Sequence, residues 1–241
     1  MTELLFAVAA FGSHFVQGIT GFGGTVLAMP FVIHLVDPHV AVPVFVMLSL
    51  LFSASLAMMD RKKIVWREVL MIATHMMLGA PLGILFFKYL PVAIYKPIMG
   101  ALFVLIALWG LLRLVSPKAA SVDLGTWVRR VFLVVGGITQ GAFGSSGPFI
   151  VFYAENALKE KSEFRTTMNA MWAVTNVLFL PQYLWAGVDT TVVLRLTGCS
   201  LPAIFLGLVM GMLVHKKIEQ KRFSLLIYTV LLISGLFNLI Y

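Results

Sequence analysis

The sequence predicts an all-α, polytopic integral membrane protein made of two inverted structural repeats, each a glycine-broken membrane hairpin followed by three transmembrane helices. Three observations carry that expectation. Of the 241 residues, 60% are hydrophobic and only 12% are charged, about half the ~25% charged share of a soluble domain. Stretches free of Asp, Glu, Lys and Arg run 4–36, 38–59, 69–87, 97–112, 131–154, 166–188, 196–214 and 223–241, most of them near the ~20 residues a helix needs to cross a bilayer. The chain also twice places a Gln and three glycines at matching positions, "QGITGFGG" from Gln17 and "QGAFGSSG" from Gln140, 123 positions apart.

The first repeat is expected over 1–115, as a hairpin at 3–36 and spans at 39–59, 67–88 and 95–114. A cytoplasmic linker at 116–128 leads to the second repeat, 129–241, with a hairpin at 129–158 and spans at 165–186, 190–214 and 222–241. Residues 4–36 as one helix would be roughly 50 Å long at ~1.5 Å per residue, well beyond a ~30 Å hydrocarbon core. Broken at Gly21–Gly24, the stretch becomes one helix and a half-helix too short to cross alone. With a few residues of slippage, "GAPLG" (79–83) falls against "GLVMG" (207–211), and "WGLL" (109–112) against "SGLF" (234–237). The scattered Gly79, Gly83, Gly100, Gly207 and Gly211 read as close helix packing, which small residues serve in membrane bundles.

Charge sets the topology. If each broken stretch enters and returns to the same face, loops 60–67, 113–130, 156–165 and 215–222 share one side and hold 15 of the 18 Lys and Arg. If each stretch crosses once, the count is nine on either side. The excess of positive charge on cytoplasmic loops selects the first arrangement. The chain is therefore expected in the cytoplasmic (inner) membrane with both termini outside. Its N-terminus lacks a basic signal-peptide n-region, so the first segment is expected to stay. The net charge of +8 fits loop topology and anionic lipid rather than nucleic acid. The longest polar connection, 113–130, is too short to bury a soluble core. The single cysteine, Cys199, excludes an intrachain disulfide and argues against a Cys-based metal site. No cofactor, metal ligand set or catalytic group is called for, and monomer and homodimer both remain open.

The glycine-rich tips are where chemistry is expected. Non-helical backbone at membrane depth is tolerated only where protein or a water-filled cavity satisfies it. Pro148 stands where a first-turn proline belongs, Ser145 and Ser146 are natural N-caps, and Thr25 serves similarly in the first half. Each half-helix would start near the bilayer centre with free N–H groups and its positive dipole end exposed, which makes an anion site. The candidate substrate-binding residues are Gln17, Gly18, Gly21, Gly23, Gly24 and Thr25 from the first tip. From the second come Gln140, Gly141, Gly144, Ser145, Ser146 and Gly147. Asn169, Trp172 and Asn176 join them from one face (i, i+3, i+7) of the following span, where substrate contact and interhelical hydrogen bonding are both open. The equivalent span of the first half offers Ser49, Ser53 and Ser55. No fixed Arg or Lys is expected within the apolar interiors, so a small anion would be held without being trapped. Glu155 is the one intramembrane carboxylate, which disfavours a cation pathway. His14 and His75, the two histidines deep in spans, are structural hydrogen bonders or carriers of a coupling proton.

At these motifs the chain resembles the sulfite exporter TauE/SafE family of membrane permeases. The likeness rests on "GFGG…MP" (Gly21–Gly24, then Met29-Pro30) and on the second glycine-rich element ending in Pro148, and it covers essentially the whole chain. The resemblance implies transport of small anions such as sulfite or sulfonates across the cytoplasmic membrane, here by alternating access around the midplane site. One departure is "FGSSGP", where two serines replace glycines often seen in the family. The competing readings are an anion channel, a structural scaffold, and an intramembrane serine protease using the G-x-S-G of Gly144–Gly147. The protease needs a histidine within hydrogen-bond reach of its serine.

Overall fold

The computed structural model describes residues 2–32, 35–89, 91–116, 125–185 and 187–240. Residues 117–124, most of the expected linker, lie outside that set, as do the ends of expected segments at 33–34, 186 and 241. Among the described residues the chain forms ten α-helices and no strand. The first five are α1 (Thr2–Thr20), α2 (Gly24–Val32), α3 (Pro38–Met59), α4 (Trp66–Tyr89) and α5 (Val92–Val115). The second five are α6 (Gly125–Phe143), α7 (Gly147–Ala157), α8 (Lys161–Trp185), α9 (Thr190–Lys217) and α10 (Gln220–Ile240). Helix is the only regular structure that satisfies every backbone group within its own segment, as an apolar solvent demands. Polar residues start several helices: Asp37 accepts from the His39 amide at 2.7 Å, and Asp189 from Thr191 and Val192 at 2.9 and 3.3 Å.

Among the described residues five helices are long and apolar enough to cross a membrane: Glu3–Thr20, Pro38–Met59, Trp66–Tyr89, Thr190–Lys217 and Arg222–Ile240. The 25-residue α8 is long but carries Arg165, Asn169 and Asn176 along its length. Its polarity is concentrated on the face turned inward.

Helix pairing follows one rule: exchanging α1–α5 for α6–α10 maps the contacts onto themselves. Helix α1 packs on α9 and α6 on α4; α3 packs on α8, and α5 on α10. Small residues set the two closest seams, where dispersion between near-touching backbones replaces the hydrophobic effect that lipid cannot supply. A Cβ on Gly18 would stand 3.1 Å from Gly211 Cα, and a Cβ on Gly141, its counterpart, 2.9 Å from Gly83 Cα. Gly79 abuts Val134 and Ile138, while Gly207 abuts Phe11 and Phe15. Those two neighbour pairs are again 123 positions apart.

Contacts gather the basic loops at one end of the bundle. There Arg165 pairs with Asp60 at 2.7 Å, and Arg113 donates to Asn156 at 3.3 Å. Tyr153 donates to Glu68 at 2.6 Å, and Lys161 donates to the carbonyls of His215 and Ile218. The opposite end holds Phe87 against both His39 and Tyr183, and the exposed Arg195–Glu3 pair.

Candidate functional site

Both tips begin with the same turn. The Gly21 amide donates to Gln17 O at 2.7 Å and the Gly144 amide to Gln140 O at 2.8 Å, with φ of +84° and +62° at the two glycines. L side chains rarely adopt that region. Each turn swings the chain into a new half-helix, α2 at Gly24 and α7 at Gly147, and both N-termini open onto one small cavity. Its lining is Gln17, Gly23, Gly24, Thr25, Val26 and Ser49 from the first half, and Gln140, Gly144–Gly147, Trp172 and Asn176 from the second. The cavity measures about 20 Å³, room for one water and little more.

The donors are arranged in related pairs. Gln17 Nε2 donates to Ser53 Oγ at 3.0 Å and Gln140 Nε2 to Asn176 Oδ1 at 3.2 Å, each partner 36 residues ahead. The two side-chain oxygens then differ. Gln140 Oε1 accepts from Ser146 Oγ at 3.0 Å, whereas Gln17 Oε1 is buried without a partner. Ser146 therefore stands at the N-cap of α7 without capping it by its hydroxyl, and Ser145 Oγ is buried with no partner at all. In α2 the first intrahelical bond runs from Leu27 N to Gly23 O at 2.9 Å. The amides of Gly24, Thr25 and Val26 are left without intrahelical acceptors.

Four of the fifteen candidate residues do not line the cavity. Gly18 and Gly141 lie on the seams with α9 and α4. Gly21 faces the backbone of α8 and offers its carbonyl to Trp172 Nε1 at 3.1 Å. Asn169 sits one layer down, donating to Arg165 O at 2.8 Å and accepting from Gln17 Nε2 at 3.5 Å. The histidines separate. His75 bonds Met71 O at 2.8 Å away from the cavity lining. His14, fully buried against Phe45 and Phe52, donates from Nδ1 to Ala10 O at 2.8 Å. Its Nε2 has no partner and lies beside Gly24 and the Gln17 side chain.

Two features depart from the sequence reading. Ser53, related to Asn176 by the repeat, is a direct partner of Gln17. More consequentially, the expectation that no Arg or Lys enters the interior is corrected by Arg165. This residue was counted with the loop 156–165, but α8 begins at Lys161, so Arg165 is already one turn inside the helix and 5% exposed. Its guanidinium donates to Gly18 O at 3.2 Å and to Asp60 Oδ2 at 2.7 Å, and nearby His215 donates to Ile19 O at 2.7 Å. These are carbonyls at the C-terminal end of α1, where a cation offsets the negative pole of the helix. The protease geometry is missing: among the described residues no histidine bonds Ser145 or Ser146.

No curated protein and no solved structure matches the chain. One family model does, described as Sulfite exporter TauE/SafE, over residues 5–238. A match across nearly the whole length, on a helical membrane bundle whose broken helices meet at one polar cavity, places the chain in the sulfite exporter TauE/SafE family.

Proposed function

We propose that this membrane transporter carries small oxyanions, sulfite or organic sulfonates, by alternating access around the cavity between the two tips. The observation that supports this most is the convergence of two half-helix N-termini on one site. Each contributes about half a positive charge, and the first adds the free amides of Gly24, Thr25 and Val26. Ser145 adds a hydroxyl without a present partner, Thr25 adds another, and Gln17, Gln140 and Ser146 become donors on release from Ser53, Asn176 and Gln140; no acidic side chain lines the cavity. At about 20 Å³ the cavity has room for little more than a water, so loading a sulfur oxyanion requires one tip to move. Alternating access then consists of releasing the first tip towards the basic end or the second towards the opposite end. The basic end is cytoplasmic, both termini face outward, and the repeats are inverted, in keeping with the positive-inside rule. His14 is the place for a coupling proton, because its Nε2 is an unpaired acceptor beside Gln17 and Gly24.

Uptake or release of sulfite by proteoliposomes tests the substrate class. Ser146→Asp, which puts a carboxylate at the mouth of α7, is expected to abolish transport without abolishing expression. Normal transport by Ser146→Asp would remove that residue from the anion path. Glu219→Cys in a Cys199→Ser background tests the topology: labelling from outside the cell would contradict the orientation.

A further inference from the structure

Arg165 has more donors than its present partners use. Among the described residues it is the only Asp, Glu, Lys or Arg that is fully buried. Its terminal nitrogens hold Gly18 O and Asp60, but its Nε–H has no acceptor, and the adjacent Thr166 hydroxyl and His215 Nε2 are likewise buried without partners. Asp60 is a different kind of partner, its side chain 40% exposed at the end of α3. A buried guanidinium cannot stand alone at tolerable cost. A carboxylate that reaches solvent can leave easily if another anion takes its place.

The route to Arg165 is written on α8. Asn176, Trp172, Asn169 and Arg165 are spaced four, three and four residues apart, so they share one helix face. The stripe starts at the cavity, where Asn176 and Trp172 are lining residues, and ends at the ion pair with Asp60. Hydrogen bonds join its lower part to the cavity, from Gln17 to Asn169 and from Asn169 to Arg165 O. The related stripe on α3 reads Ser53, Ser49, Val46, Val42 and ends in apolar side chains. Of the two related stripes, the one on α8 stays polar as far as the basic end and the one on α3 does not.

Building on the transport reading, we propose that Arg165 is a second anion subsite and that Asp60 occupies it as a carboxylate stand-in for the substrate. The planar fork of guanidinium donors fits two oxygens of a sulfite or sulfonate as well as those of a carboxylate. An anion passing between the cavity and the cytoplasm exchanges with Asp60 on Arg165, and the idle Nε–H becomes its additional donor. The guanidinium is never left unpaired during the exchange.

Calorimetric titration of purified protein with sulfite tests this. Asp60→Asn removes the competing charge and is expected to tighten sulfite binding at least about threefold. Arg165→Lys keeps the charge and the ion pair but loses the fork, and is expected to weaken binding about tenfold, the loss of one charge-assisted hydrogen bond. In Asp60→Asn/Arg165→Gln the gain should vanish. A role confined to capping α1 would lower the melting temperature of these variants and leave their sulfite affinity at the wild-type value. That result in Asp60→Asn, or wild-type affinity in Arg165→Lys should Asp60→Asn not fold, overturns the subsite while the transport reading stands. If neither wild type nor Asp60→Asn binds sulfite or a sulfonate, both fall.

Discussion

At the basic end, Arg165, itself paired with Asp60, and His215 hold the carbonyls of Gly18 and Ile19 beneath the first tip. At the opposite end the positions related to them by the repeat are Val42, Tyr183 and Phe87. There a hydroxyl bond runs from Tyr183 to Gln140 O, with Phe87 on the tyrosine ring and Val42 against Gly144. The two closures occupy equivalent places but use different chemistry. A buried ion pair is costly to form and costly to break singly, whereas apolar packing with one neutral hydrogen bond yields in small steps. The two tips thus share a plan while the side chains that close over them differ.

The largest expected effect separates the two ends directly. Arg165→Met removes the charge-assisted bonds to Gly18 O and to Asp60, the second weakened by the solvent exposure of that carboxylate, and should cost about 2–4 kcal/mol of stability. Tyr183→Phe, at the related end, should cost only about 0.5–1.5 kcal/mol. Denaturant unfolding in micelles measures both, and similar losses would erase the distinction between an ionic and an apolar closure.

Next come the tip glycines. An alanine at either position adopts a left-handed conformation at roughly 1–2 kcal/mol. At Gly21 its Cβ would also stand 2.7 Å from Arg165 Cα, a backbone atom that cannot retreat, whereas at Gly144 the nearest atom is a Val42 methyl at 3.0 Å. Crowding of the first kind adds about 1–3 kcal/mol. Gly21→Ala should therefore lose both yield and transport while Gly144→Ala retains a folded, slower transporter. Equal damage from both would show that the second closure is as rigid as the first.

The smallest structural effect is expected at His14. Its repeat counterpart, Gly137, packs against Met76, so the imidazole exists on one side only. His14→Gln keeps a polar group of similar size and should change stability by less than about 1 kcal/mol, within the range of a single hydrogen bond. It should nevertheless abolish the response of anion transport to an imposed pH gradient. A gradient response that survives the substitution would move the coupling proton elsewhere.

Much of this was legible in sequence because glycine, serine and proline clusters are conspicuous inside apolar runs. The breaks at Gly21–Gly23 and Ser145–Ser146, and the helical bundle around them, follow from that contrast. What composition cannot distinguish is a glycine that turns from one that packs. Gly18 and Gly141 stand beside the tip glycines, yet their role is fixed by Gly211 and Gly83 on other helices. Arg165 was obscured for a related reason, since a charge at the border of an apolar run reads as loop. The signal that could have placed it was present, because it continues the spacing of Asn176, Trp172 and Asn169 by one more turn. The Gln17–Ser53 bond was hidden by the mildness of a serine among many in membrane helices.

The central claim is that the two tips form one anion site rather than two packing devices. Sulfite binding measured by calorimetry on wild type, Gln17→Ala, Gln140→Ala and the double variant tests it most directly. Loss of one hydrogen bond to a charged ligand costs about 1.5–3 kcal/mol, so each single variant should bind about ten- to a hundredfold more weakly. Because both glutamines touch the same ligand, the double variant should depart from additivity by a measurable coupling energy. Unchanged affinity in both single variants would contradict the account, leaving the paired glutamines as braces for Ser53 and Asn176 and placing the anion elsewhere.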